Sequence, residues 1–368
     1  MINREPHKIS DFAGTPLSRL RTWLDEQGAD AAYVSDPVSI AYVTGFYTDP
    51  HERLMGLGVT DARALLVVPG LERESAEAAA RDVEVLSWRD GEDPFQLVGE
   101  AIGRPRLLAV EKRHLTLAVA ERLEAGRLVD VGDALRRFRL LKSEDEVAKL
   151  ARAAEITDLV TERIGVAMRP GQTEIEVGMT LATLMGAEGA KPAFESIVQS
   201  GPNSAQPHLR PTGRRLQRGD LVLLDFGAAW EGYRADTTRM AVVGEPDARQ
   251  LELHRLVLDA HDAAIARVRP GVTTGEVDAA ARQVIEGAGQ GAYFIHRIGH
   301  GLGLEVHEDP SLDPGSKLPL EAGMVFTVEP GVYLLGWGGI RIEDDLVVEA
   351  DGARLLTSAD RSLRVVPG

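Results

Sequence analysis

One stretch in the second part of the chain is written twice, at a spacing near 100 residues. Arg169-Pro-Gly-Gln-Thr-Glu-Ile-Glu-Val177 returns as Arg269-Pro-Gly-Val-Thr-Thr-Gly-Glu-Val277, and Phe194-Glu-Ser-Ile-Val-Gln-Ser-Gly201 aligns with Phe294-Ile-His-Arg-Ile-Gly-His-Gly301. In both copies a helix is expected to end at Arg-Pro-Gly and the next to start at the following Thr. A repeat of this length constrains the fold strongly. It asks for two helix-helix-strand-hairpin units packed about a pseudo-twofold axis, with a cleft between them. His208 and His307 stand 99 residues apart and so belong to the same pattern.

Each copy carries a pair of acids. The first, in LVLLDFGAAWEGYRADTTR, is Asp225 and Asp236; the second, in VEPGVYLLGWGGIRIEDD, is Glu329 and Glu343. Asp225 and Asp236 are centred between Trp230 and Glu231, so a two-residue turn there makes them direct cross-strand neighbours. Glu329 and Glu343 are centred on Gly336, which fits an odd-length loop or a Gly bulge. Like charges facing each other across a hairpin repel. Four acids and one imidazole, His300, converging on one cleft demand a cation. Two ions about 3.5–4 Å apart would turn the repulsion into binding.

Composition removes other readings. Lys+Arg 41 against Asp+Glu 57 gives a formal charge of −16, which argues against nucleic acid or an anionic membrane as partner. The chain has no cysteine, so no disulfide, thiol nucleophile or thiolate metal site is available. MINREPHKISDFAG lacks the apolar segment of a signal peptide, and no apolar run approaches the ~18 residues of a membrane span. A cytoplasmic enzyme is expected.

Residues 1–134 alternate helix-like and strand-like segments. PLSRLRTWLDEQGA and ERESAEAAAR read as helices. AAYVSD, DPVSIAYVTGF, ARALLVVPG, VEVLSW and RLLAVEK read as strands. Ser143 with Glu146 forms a capping box that opens a long helix reaching about Met168. The expected organisation is a smaller α/β domain over 1–134 and a second domain over 140–368.

The blocks DFGAAWEGYRADTTR, HRIGHGLGLEVHE, VEPG and GIRIEDD resemble the metal-binding blocks of the pita-bread metallopeptidases, in their prolidase and aminopeptidase P branch. The stretch from DPVSIAYVTGF to ERL resembles the creatinase-type N-terminal domain of that branch. The HRIGHGLGLEVHE wording is most similar to bacterial Xaa-Pro dipeptidases. The resemblance implies an α+β fold, with a duplicated pita-bread domain behind a creatinase-like domain. It also implies a homodimer and a dinuclear site, usually of manganese or cobalt. Asp225 would chelate one ion, Asp236 and Glu343 would bridge, and His300 and Glu329 would hold the other ion. An oxygen-rich set with one imidazole suits Mn²⁺, while affinity order favours Co²⁺ or Zn²⁺.

The activity implied is cleavage of the Xaa-Pro bond of dipeptides by a bridging hydroxide. Glu329 would act as proton shuttle and His307 as hydrogen-bond donor to the carbonyl oxygen or oxyanion. His208 would be the second substrate histidine, near the leaving proline. Arg341, two residues before Glu343 and on the same strand face, either clamps a substrate carboxylate or holds Glu343 or Asp236. Tyr233 is a further candidate for the cleft. His296 reads as a supporting residue. His254 and His261, a heptad apart, read as one helix face.

The sequence departs from the family in one respect. The segment EDPSLDPGSKLPLEAG lacks the arginine with which prolidases often grip the dipeptide carboxylate. Arg53 is the candidate substitute, with Asp36 for the substrate amine. The main alternative is an Xaa-Pro aminopeptidase acting on longer peptides. A creatinase-type amidinohydrolase and a non-catalytic pita-bread binding protein both lack the metal pentad, so the four acids and one imidazole weigh against them.

Overall fold

The computed structural model describes residues 14–367. The N-terminal stretch MINREPHKISDFAG, in which no signal peptide is expected, lies outside the described residues apart from Gly14. The chain divides into two compact units between Arg139 and Leu140.

The first unit holds strands β1 (Ala31–Val34), β2 (Gly56–Val59), β3 (Ala64–Pro69), β4 (Glu84–Trp88), β5 (Leu107–Val110) and β6 (Arg127–Asp130). Its helices are α1 (Pro16–Gln27), α2 (Pro37–Thr44), α3 (Arg73–Ala79), α4 (Phe95–Ile102), α5 (Leu117–Ala120) and α6 (Gly132–Leu140). The strands form one mixed sheet in the order β4-β3-β2-β1-β5-β6. Tyr33, Leu65, Val67, Leu108 and Val110 of the sheet pack with Val98 and Ile102 of α4. The stretch DPVSIAYVTGF is not a strand. Asp36 accepts from the Val38 amide as N-cap, Pro37 opens α2, and left-handed Gly45 closes it. Those end signals outweigh the β-branched composition between them.

The second unit contains the duplication. Its helices are α7 (Glu144–Ala167), α8 (Glu174–Ala187), α9 (Ala248–Arg267) and α10 (Thr274–Gly287). Its strands in the first half are β7 (Lys191–Pro192), β8 (Ile197–Ser200), β9 (Leu221–Phe226), β10 (Ala228–Trp230), β11 (Tyr233–Arg234) and β12 (Thr237–Val243). Those of the second half are β13 (His300–Gly301), β14 (Glu308–Ser311), β15 (Val325–Val328), β16 (Gly331–Leu334), β17 (Gly338–Arg341), β18 (Asp344–Glu349), β19 (Gly352–Leu355) and β20 (Arg364–Val366). α8 and α10 occupy the same positions in the two copies, each opened by a capping box, Thr173 with Glu176 and Thr273 with Glu276. Gly171 donates to the Leu216 carbonyl at 2.8 Å, and Gly271 to the Leu320 carbonyl at 2.9 Å. The expected box at Ser143 is present, and α7 ends at Ala167 with Met168 as its cap.

The two acid hairpins differ from each other in register. In the second, Val328 pairs with Asp344 and Gly331 with Arg341, which sets Glu329 opposite Glu343 about Gly336 as expected. In the first, Asp225 pairs with Thr238 and Trp230 with Tyr233. The turn is Glu231-Gly232, with φ of 47° and 86°, the two left-handed residues of a tight hairpin. Asp236 is therefore a diagonal neighbour of Asp225 on the same face, not its direct partner. Gly227 lets the strands approach closely there, since a Cβ would lie 1.7 Å from the Ala235 carbonyl oxygen.

Candidate metal centre

The two hairpins meet edge to edge. Thr238 of β12 bridges Glu343, and its hydroxyl donates to Glu343 Oε2 at 2.6 Å. The Asp236 amide donates to Asp345 Oδ2 at 2.9 Å. This seam brings together Asp225 at the end of β9, Asp236 before β12, Glu329 after β15 and Glu343 before β18. Asp225, Asp236 and Glu343 are buried, and His300 on β13 is buried with them.

His300 is held in one tautomer. Its Nδ1 lies 3.1 Å from the Gly301 carbonyl, which can only accept, so Nδ1 carries the proton and Nε2 the lone pair. That lone pair faces Glu329 Oε1 at 3.4 Å and Asp236 Oδ2 at 3.8 Å. Burial, with the His307 charge adding, pushes the His300 imidazole down to about 3, so it is neutral. Neither contact is then an ion pair. Burial also drives Asp236 and Glu343 far above the usual carboxylate range, with Glu343 and Glu329 respectively as the next cause. Burial raises Glu329 to about 7, although the Arg341 charge opposes it.

The cluster therefore has more acceptors than donors. Asp225 Oδ1, Asp236 Oδ1 and Asp345 Oδ1 are buried without a hydrogen-bond partner. Ligand atoms of Asp236, His300 and Glu343 all lie within 4.8 Å of one another. Orphaned buried carboxylate oxygens beside a neutral imidazole lone pair are costly unless a cation takes them up. The residues fit a divalent ion, and the oxygen-rich set with one nitrogen suits a hard or borderline one.

The other expected residues fall into place unevenly. His307 and His208 are exposed, and the His307 ring meets His300 edge-on at 4.2 Å between centroids. Arg341 is buried and does face the cluster, but its partner is Asp225, not Glu343 or Asp236. It also donates to Thr238 Oγ1 at 3.0 Å and to the Tyr333 hydroxyl at 2.9 Å. His296 is a supporting residue: its Nδ1 donates to the Arg297 carbonyl, so its Nε2 accepts from Tyr333 at 2.9 Å. Tyr233 does not line the cluster. Its hydroxyl bonds Glu146 of α7 at 3.2 Å, and Lys149 lies over its ring. Tyr233 and Asp236 both follow the Glu231-Gly232 turn, and residues three apart on extended chain point to opposite faces.

His254 and His261 lie on the buried face of α9, and His261 Nε2 sits 3.1 Å from Asp344. In the first unit, Asp36 is occupied as the α2 cap. The Arg53 fork reaches both oxygens of Asp90 at 3.2 Å.

Three contributors were not foreseen. Tyr333 fits because Gly331 and Gly339 leave room for its ring, where a Cβ would come within 2.5 Å and 2.7 Å of it. An aromatic bracketed by glycines two before and six after was the available signal. Asp345 receives the Asp236 amide, and burial raises it well above the carboxylate range. Arg297 donates to Ser311 Oγ at 2.7 Å, and its charge bears on His300, His307 and Glu329 alike.

Comparison with known proteins identifies the family. Residues 148–350 match the metallopeptidase family M24, and residues 16–141 match the Creatinase/Prolidase N-terminal domain. The chain is 40% identical to a Xaa-Pro dipeptidase of Lactobacillus delbrueckii subsp. lactis, over 95% of this chain and 99% of that protein. A prolidase structure from Pyrococcus horikoshii OT3 superimposes with a TM-score of 0.89 at 34% identity, covering 95% of this chain and 99% of the other. An X-Pro aminopeptidase structure from Thermotoga maritima MSB8 gives 0.87 at 33% identity, covering 95% and 99%. With its creatinase-type first unit, its duplicated second unit and a buried cluster of acids around one neutral imidazole, the chain belongs to metallopeptidase family M24.

Proposed function

We propose that this protein hydrolyses Xaa-Pro dipeptides, using two divalent ions held by Asp225, Asp236, His300, Glu329 and Glu343. The observation that carries the reading is the convergence of Asp236, His300 and Glu343 ligand atoms within 4.8 Å of one another, with partnerless carboxylate oxygens around them. When bound, the ions supply Lewis acidity and a water acidified toward neutral pH.

The chain's own residues do the rest. Glu329, beside His300 in the cluster, is the group placed to take a proton from the attacking water and pass it to the proline nitrogen as the C–N bond breaks. Burial lowers His307 below the ordinary imidazole value, so near neutral pH it is an uncharged N–H donor for the carbonyl oxygen. His208 lies on the loop expected to flank the leaving proline. Arg341 is engaged with Asp225, so its role is to orient that acid. A half-buried Arg297 is the guanidinium we assign to the dipeptide carboxylate. Arg53 and Asp36 of the first unit are the secondary candidates for the substrate's two termini.

The hard donor set favours Mn²⁺ in the cell. A cytoplasmic homodimer is part of this reading, and no helix among the described residues is long and apolar enough to cross a membrane. Its mass in solution tests the dimer. The second reading, an aminopeptidase for longer peptides, is favoured by one observation: the segment from Glu308 to Gly323 carries no arginine. Protein reconstituted with Mn²⁺, Co²⁺ or Zn²⁺ and assayed on a Xaa-Pro dipeptide and a Xaa-Pro-Xaa tripeptide separates them. Faster turnover of the tripeptide would reject the dipeptidase reading.

A further inference from the structure

A cation close to the site has no part in the chemistry above. Lys142 stands at the start of the second unit with a side chain only 1% exposed, and its Nζ lies 2.6 Å from Oε1 of Glu308, itself 3% exposed. A fully buried ion pair is a weak device for stability, because desolvation cancels most of the attraction. Its value lies in fixing a geometry, so the question is which geometry.

Glu308 is the first residue of β14 and directly follows His307. Lys142 is itself anchored: its amide donates to the Gly323 carbonyl at 2.9 Å, and Gly323 donates to Val348 of β18 at 2.9 Å. The loop between β13 and β14 is thus held at its far end, through the Glu308 carboxylate, by a lysine whose backbone is fixed to the sheet. At its near end, the Arg234 amide donates to the Gly303 carbonyl at 3.0 Å, and Arg234 Nε to the Leu304 carbonyl at 3.0 Å. Gly303 lies directly against the Glu308 carboxylate, where a Cβ would approach to 2.6 Å. Between these anchors His307 is exposed, and the direction of its ring over His300 follows from where the backbone at Glu308 is held.

We propose that the Lys142–Glu308 ion pair is the positioning device for His307, setting its imidazole on the carbonyl oxygen of the substrate. The inference rests on the role of His307 argued above. A misplacement of about 1 Å at a catalytic group can cost on the order of 100-fold in rate.

The test is a Lys142→Gln/Glu308→Gln double variant, which leaves no lone buried charge, made in the natural protein and in His307→Ala. Metal content and melting temperature are measured alongside kcat and KM. The expected result is a fall in kcat of about 10- to 100-fold with KM within about twofold and metal content unchanged. In the His307→Ala background the same double change should have no further effect. A wild-type kcat, a drop that persists without His307, or a loss of metal would each overturn the proposal. A His307→Ala variant with wild-type kcat would instead overturn the assigned role of His307, and this inference with it. If the double variant does not fold, Lys142→Ala titrated with methylammonium replaces it. Recovery of kcat with the added cation supports the proposal, and no recovery in a folded, metal-loaded protein rejects it.

Discussion

Two buried carboxylate sites in the second unit invite comparison, because they solve the same problem in opposite ways. Glu174, at the start of α8, is fully buried and surrounded by donors. It accepts from the Ser200 amide and hydroxyl, from Asn203 Nδ2, and from the Thr212 amide and hydroxyl. It ties down the segment that leads into and out of His208. Asp236 is equally buried, yet its Oδ1 has no donor and its neighbours are other acids. In the repeat, Ser200 occupies the place of His300. One half uses that position to close a hydrogen-bond network; the other uses it to present a lone pair. What separates the two is not burial: the acceptors of Glu174 are filled by donors, and those of the acids around Asp236 are not.

The comparison can be broken most sharply at the acids themselves. Asp236→Asn or Glu343→Gln should lower kcat by roughly three orders of magnitude or more, since a bound ion contributes several kcal/mol to the transition state. Metal analysis should find fewer than two ions per chain. Glu174→Gln should keep both ions, and loss of metal there would erase the distinction. Glu174→Ala, which strands several buried donors, should cost about 3 kcal/mol or more in a denaturant melt. Its metal content should stay intact, and a rise in KM should report the loosened His208 segment.

A smaller effect is expected at the substrate's carboxylate. Arg297→Ala should raise KM for Xaa-Pro dipeptides about 10-fold or more, the scale of a charge-assisted hydrogen bond, with little change for tripeptides. Arg53→Ala tests the secondary candidate, and an unchanged KM removes it.

The smallest effect is a slope. Glu329, Asp236 and Glu343 bind protons more tightly folded than unfolded, so the metal-free protein takes up protons on folding. Stability of the metal-free protein should therefore be highest below the ordinary carboxylate range and fall as pH rises toward about 7, where Glu329 titrates. Saturating Mn²⁺ should flatten that slope and release protons on binding. A metal-free protein that gains stability over this range would contradict the electrostatics of the cluster.

Much of this was legible in the chain, and the failures have physical causes. The second hairpin was read in its correct register because an odd loop about Gly336 leaves a single symmetric solution. The first was misread by one residue of turn placement, since Glu231 adopts a left-handed φ of 47° that composition does not announce. That shift made Asp236 a diagonal neighbour of Asp225, while the odd spacing of three puts Tyr233 on the face opposite Asp236, against α7. Strand alternation put Arg341 on the right face but could not choose among the acids that converge there, and its partner is Asp225 rather than Glu343 or Asp236. The strand-like residues of α2 yielded to Asp36-Pro37 and Gly45 at its ends. Lys142 and Glu308, 166 positions apart, left no local trace of their contact.

The seam at Thr238 and Glu343 has a consequence for the lifetime of the protein. The acids there come from hairpins more than 100 positions apart, and Thr238 already bonds Glu343 across 105 of them. An ion shared by Asp236 and Glu343 would act as a rivet between the two halves, closing a long loop in the chain. Copies without ions would open along this seam more often and be cut first by proteases that act on opened states. Turnover would then sort the population by ion content, leaving the surviving copies enriched in working ones.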